Sequence, residues 1–342
     1  MRHIGFALGL SLFCSTAGAF ELEVSRSYPA QAAQSTLRIL STADVEVFEP
    51  ILLAFQDLHP TISVQYDVAS SAEVMRGLYA EGAVYDLAIS SAMDLQTKLA
   101  NDGFAQSYRS NATASLPDWA TWRDQVFAFT QEPTVLVISQ AALEGLPVPT
   151  NRAGLIELLR AHPDVFDGRI GTYDVRVSGA GYLFATQDSR NTESFWRLTE
   201  VMGRLNARLY CCSGQMISDV SDGTLAIAYN VLGSYAQSRL EDTPGIKIVE
   251  MDDFVSVMLR TALIPVTAKS VQESGLMIDF LADLRNRPQL VAQTGLPPVE
   301  ALQADEAPER RPIRLGPGLL VFLDTMRRQT FLRSWVSSME QR

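Results

Sequence analysis

Four times along this chain an apolar, strand-like stretch runs into a short turn rich in hydroxyl, glycine or amide residues. The turns are 41–44, 90–94, 174–183 and 229–235. The first part shows the pattern most clearly. Residues 37–40 form a short strand, and 47–58 carries Val47, Ile51, Leu52 and Phe55 at helical spacing. His59-Pro60 stops that helix. Residues 62–66 alternate as a strand, 73–79 read as a helix, and 87–89 as a third strand. A β-α-β-α-β order predicts a parallel sheet with covering helices. In such sheets ligands sit beyond the carboxyl ends of the strands, where helix amino termini present free N–H groups. Each polar turn is therefore a ligand-facing candidate, and each is also a good helix cap.

Farther on, 126–129 and 134–139 read as two β-rich runs around Gln131-Glu132-Pro133, and 255–264 as another strand. Residues 20–35 read as a loose polar leader, and 297–312 as an exposed loop rich in Pro, Glu and Arg. Residues 319–339 read as one terminal amphipathic helix.

The amino terminus has the three parts of a secretory signal: basic 1–3, apolar 4–13 and the small-x-small site Ala17-Gly18-Ala19. This predicts an exported protein with a mature start at Phe20. Cys14 follows Phe13, not the small residue that lipid attachment requires. No later stretch reaches the ~18 uncharged apolar residues of a membrane span. A formal net charge of −11 without a basic cluster argues against nucleic acid and against anionic lipid surfaces as partners. Small anions remain open, since helix starts hold them with backbone amides. Beyond the signal only Cys211 and Cys212 remain. They read as free buried thiols, because disulfide geometry disfavours joining neighbours. A vicinal bridge and a redox or soft-metal role are the alternatives.

The ligand-binding candidates follow from the turns. Thr42, Ser91, Ser178, Ser213 and Asn230 offer side-chain hydrogen bonds. Ala43, Ala92, Gly179 and Gly214 offer backbone amides, and Asp44 stands at the first helix start. Arg176 is a candidate clamp for a carboxylate or phosphate, Tyr235 a packing surface, and Glu132 a hinge residue. Catalytic motifs are missing: there is no His-Glu-x-x-His, Gly-x-Ser-x-Gly, P-loop or calcium loop. No cofactor and no catalysis are expected. An exported enzyme using Asp44 and Glu132 is a competing reading.

Three segments carry a family resemblance. They are Ser90-Ser91-Ala92-Met93-Asp94 with Leu95-Gln96, the turn from Asn230 to Tyr235, and Pro312-Ile313-Arg314-Leu315-Gly316-Pro317-Gly318-Leu319-Leu320. They resemble the type II periplasmic solute-binding proteins of ABC transporters, in the ferric-iron-transport-like branch. The subgroup is similar to the phosphoglycerate-transport regulatory binding proteins associated with sensor histidine kinases. The resemblance implies a monomeric two-lobed α/β Venus-flytrap with two hinge crossings: signal peptide 1–19, lobe 1 from 36–130 and 255–342, lobe 2 from 131–254. It implies a small-molecule solute and, as partner, an ABC permease or a histidine-kinase sensor domain. Iron-binding members use paired tyrosines where this chain has only Tyr235, with Tyr229 six residues earlier. A small organic anion, either a phosphorylated metabolite or a carboxylate, suits these turns better than ferric iron. A ferric carrier using Tyr229, Tyr235 and Glu132 is the alternative.

Overall fold

The computed structural model describes residues 20–240, 243–300 and 308–341. The export signal with Cys14, and 301–307 of the expected loop, lie outside them.

The strand–helix alternation builds a parallel sheet, as its order requires. Strand Ser35–Ser41 lies between Ile62–Val68 and Leu87–Ser90 and is parallel to both, with Leu37 opposite Val64 and Ile39 opposite Leu87. Helix Val45–Leu58 buries Val45, Phe48, Ile51, Leu52 and Phe55 against it. Phe127, Ile264 and Phe280 complete that core. The leader is not all loose. Val24–Tyr28 is an edge strand antiparallel to Ile62–Val68. Its first four side chains are exposed, so it lacks the apolar alternation by which a strand is recognised in sequence.

The two β-rich runs around Pro133 are one strand, Val126–Ser139. Its first half pairs antiparallel with Val255–Pro265, placing Phe127 opposite Ala262 and Glu132 opposite Met258. Its second half pairs with Ile227–Leu232 and Ile246–Val249. Val255–Pro265 continues onto Leu87–Ser90. These two long strands are the crossings, and they join everything into one mixed sheet. On the far side, Ile170–Tyr173 runs parallel to Arg208–Tyr210 and Ile227–Leu232. Helices Arg152–Ala161, Gly179–Asn191, Ser194–Arg204 and Ser213–Ser221 accompany this second parallel set. Its core includes Leu136, Ile138, Leu155, Phe166, Ile170 and Phe195.

The carboxyl end departs from expectation twice. The single helix is split into a 3-10 segment, Pro317–Leu323, and an α-helix, Thr325–Met339. Asp324 makes the break, its side chain accepting the Arg327 amide at 3.1 Å. Thr325–Met339 packs on Ser194–Arg204, and Phe331 and Trp335 enter the second core. This helix thus packs with the second half, whereas the expected boundaries place all of 255–342 in the first lobe. Its apolar stripe fits either body, and contact with Phe195 and Trp196 decided between them. Pro317–Leu323 lies on Met93–Asn101 instead, so the terminal segment touches both halves.

Candidate functional site

The carboxyl ends of the parallel strands face each other across a cavity of about 390 Å³. The first half contributes Thr42, Asp44, Ser70, Ser71 and Ser91. The second contributes Tyr173, Ser178, Cys211, Cys212, Ser213, Gly214, Tyr235 and Arg239. Arg260, on the return crossing, lies on the wall between them.

The first-half turns use one device twice. The Ser41 hydroxyl accepts the Ala43 amide at 3.0 Å, and the Ser90 hydroxyl accepts the Ala92 amide at 3.0 Å. The Thr42 hydroxyl accepts the Ser91 amide at 3.1 Å, knitting the two turns together. The Ala43 and Ala92 amides are thus spent within the turns, and neither residue lines the cavity. Ser70 caps helix Ser71–Tyr79. Ser70 and Ser71 went unread, although a strand followed by paired serines and a helix repeats the pattern at Ser90-Ser91.

On the second side, 174–183 is not an open loop. Ser178 caps helix Gly179–Asn191 by accepting the Gly181 amide at 3.1 Å. The Ser213 hydroxyl bonds Tyr173 and accepts the Leu232 amide. Two contacts join the halves directly. The Gly179 amide donates to Ser71 at 2.9 Å, and the Asp44 amide donates to the Tyr235 hydroxyl at 3.2 Å. Glycine permits the first contact. A Cβ at 179 would stand 2.5 Å from the Ser71 oxygen and 3.0 Å from the Ala92 Cβ.

Beneath the cavity, Glu132 and Arg260 form a fully buried ion pair. Glu132 accepts from Arg260 Nε at 2.9 Å, Arg260 Nη2 at 3.0 Å, Thr130 at 2.7 Å and the Ser234 hydroxyl. Burial drives its carboxyl pKa up, but Arg260 and the two hydroxyls outweigh that and hold it below the ordinary value. Glu132 is therefore a support for Arg260 and does not itself line the cavity. Arg260 Nη1 is buried and has no hydrogen-bond partner among the described residues. At Asp44, burial raises the pKa, with Arg239 and Arg260 opposing. Burial also pushes the Tyr235 hydroxyl up to about 12.

Several candidates sit elsewhere. Arg176 is held by Asp174 at 2.7 and 2.8 Å and by Glu340 at 2.6 Å, outside this cavity. The acid two residues before it captures its guanidinium. Gly179 lies beside the cavity at the contact between halves. Asn230 is buried in the second half and donates to Asp188 at 2.8 Å. Tyr229 is buried with it, bonded to Arg152 and Asp188 at 2.8 Å each. The ferric reading needs Tyr229, Tyr235 and Glu132 together, and only Tyr235 reaches the cavity. Among the described residues, no group of three His, Cys, Asp or Glu is placed to hold a metal. The expectation of free buried thiols also fails. Cys211 and Cys212 are joined by a disulfide, and Cys211 is exposed on the cavity wall. The missed residues are Arg239 and Arg260. Arg260 had a signal: it is the only charge in the apolar run VSVMLRTALIP.

The sequence matches the model of the bacterial extracellular solute-binding protein family over residues 37–291. The structure is similar to the substrate binding protein of an ABC transporter from Agrobacterium tumefaciens. Identity is 31%, the match covers 92% of this chain and 98% of that one, and the TM-score is 0.87. It also superposes on the periplasmic binding protein AfuA from Actinobacillus pleuropneumoniae with fructose-6-phosphate bound, at 12% identity, coverage of 91% and 100%, and TM-score 0.75. Iron-bound HitA from Pseudomonas aeruginosa matches at 15% identity, coverage of 89% and 99%, and TM-score 0.66. These last two share the fold. No curated protein matches the sequence.

Proposed function

The chain belongs to the bacterial extracellular solute-binding protein family, of the type that serves ABC transporters, and from that premise we propose that it closes around a small organic anion. A phosphorylated metabolite or a carboxylate is the class. The observation that carries this reading is Arg260: a buried residue of the cavity lining, fixed by Glu132, whose Nη1 has no hydrogen-bond partner among the described residues. A buried donor without a partner costs ~1–3 kcal/mol, so a site that recovers this on binding selects an acceptor. Arg239 and the starts of helices Val45–Leu58, Ser71–Tyr79, Gly179–Asn191 and Ser213–Ser221 favour negative charge in the same space. AfuA, whose structure holds fructose-6-phosphate, supports the phosphorylated option as a shared-fold precedent.

Thr42, Ser91, Ser178 and Ser213 supply hydroxyls, Gly214 an amide, and Tyr235 a ring edge and hydroxyl. The solute touches both halves, and this differential contact shifts the open–closed balance. The closed form is then presented to an ABC permease or to the sensor domain of a histidine kinase. The protein works as a monomer in the periplasm after removal of residues 1–19, and performs no catalysis. No helix among the described residues is long and apolar enough to cross a membrane.

A thermal-shift screen of the chain from Phe20 onward tests this. It spans phosphorylated metabolites, di- and tricarboxylates, neutral sugars and ferric salts. A ligand at a hundred times its Kd adds ~2.7 kcal/mol of stability. The expected hit is an organic anion. A response to neutral sugars alone, or to ferric salt alone with a visible charge-transfer band, sinks the proposal.

A further inference from the structure

The side-chain charge around this cavity is of both signs. Two guanidiniums, Arg239 and Arg260, face three carboxylates: Asp44 and Glu23 on the lining, and Glu132 against Arg260. One guanidinium is already neutralised by Glu132. A bare anion entering here would meet Asp44 at close range in a partly desolvated space, where like charges repel more strongly than in water.

Asp44 has a second peculiarity. It occupies the N-cap position of helix Val45–Leu58, where an aspartate normally turns back to accept a first-turn amide. Here it makes no side-chain cap bond. Ser70 and Ser178, at the equivalent places on neighbouring helices, do cap. The Asp44 carboxylate is thus withheld from its helix, half-buried, and turned to the cavity. Glu23, which follows no helix start, adds a second carboxylate to the lining. Burial raises the pKa of both acids; Asp44 and Glu21 add to the rise at Glu23, while at Asp44 the rise persists against Arg239 and Arg260. A partner cation would relieve both.

We propose that the solute is bipolar, an amine-bearing organic acid. Its acid group lies on Arg260 Nη1, Arg239 and the start of helix Ser213–Ser221, and its ammonium lies on Asp44 and Glu23. This rests on the reading of the cavity as the solute site. It adds a positive group to a solute that the arginines alone would leave purely anionic. Binding then brings no uncompensated charge to either wall, and both halves hold one end of the same molecule.

Matched probe pairs differing only in the amine give the test: glucosamine 6-phosphate against glucose 6-phosphate, O-phosphoethanolamine against ethyl phosphate, and aspartate against succinate. Titration calorimetry is run on the protein and on Asp44→Asn. At least one amine-bearing probe is expected to bind ten-fold or more tightly than its twin. Asp44→Asn should weaken that probe and strengthen the twin. A merely structural role for Asp44 would move both in one direction, and that result overturns the proposal. Twins that bind as well as or better than every amine-bearing probe also overturn it, while the solute-binding reading stands. If no member of any pair binds, the bipolar assignment and the organic-anion reading fall together. Unfolding of Asp44→Asn at an unchanged temperature confirms that the comparison is between folded proteins.

Discussion

Two arginines are buried among the described residues, and they are used in opposite ways. Arg152, 1% exposed, lies in the second half with its guanidinium among several partners. Nε donates to Tyr229 at 2.8 Å, and Nη1 to Asp253 at 2.8 Å and the Phe254 carbonyl at 2.9 Å. Nη2 lies 3.6 Å from Asp188. The ring of Phe254 stacks 3.7 Å from the guanidinium carbon. Arg260, 0% exposed, is equally charged and equally buried, yet its only hydrogen bonds are to Glu132, and Nη1 has no partner among the described residues although the residue lines the cavity. Burial and ion pairing are therefore no marks of a functional arginine by themselves. The mark is an unmet donor on a residue that lines a cavity. The first cluster pins a fold, and the second is held ready for something outside the chain.

Breaking the first cluster should cost the most. Arg152→Met strands Asp188 in the core, and removing one partner of a buried pair costs ~3–5 kcal/mol. Urea unfolding should show that loss, with solute affinity of the remaining folded protein intact. A loss under ~1 kcal/mol would mean that Arg152 is not the pin described here. The paired change Arg260→Met with Glu132→Gln should do the reverse. It removes both charges at once, which is often nearly neutral for stability. Solute affinity should fall a hundredfold or more, ~2.7 kcal/mol. The same variant has a pH signature. Glu132 is held below the ordinary carboxylate value, so the stability it contributes is present above that value and lost as pH falls through its lowered one. The double variant should lose stability less steeply in acid. Equal acid limbs would contradict the coupling of the pair.

The smallest change leaves both arginines in place. Gly179→Ala should weaken solute binding about ten-fold, ~1.4 kcal/mol, by propping the halves apart at Ser71. Ser71→Gly added to it should restore most of the loss, and scattering should show the single variant more extended at saturating solute. Full affinity in the single variant would show that closure tolerates a gap there.

The course of the chain explains which of these features were legible. Val45–Leu58, Ser71–Tyr79 and the strands between them rest on local periodicity, and the helix came out nearly as read. Thr42, Ser91, Ser178, Ser213 and Tyr235, which line the cavity, are legible as candidates because a strand end followed by a polar turn is itself a local pattern. Arg176 lies outside this cavity, and its proximity to Ser178 and Gly179 in sequence says nothing of Asp174 and Glu340, which hold it. Asn230 reads as a turn residue but sits at a bulge within strand Ile227–Leu232, with φ of 61°, and its side chain faces Asp188 inside the second core.

By itself the sequence determined the repeated strand–turn–helix unit, the parallel sheets it builds, and the row of helix starts at their carboxyl ends. Those follow from side-chain periods of two and 3.6 and from capping chemistry within a few residues. Only the tertiary structure decided which polar groups remain unmet. Glu132 and Arg260 are 128 positions apart, Asp44 and Tyr235 191 apart, and Ser71 and Gly179 108 apart. Whether a buried donor is satisfied depends on every group that packs around it, and that set exists only once the two halves meet.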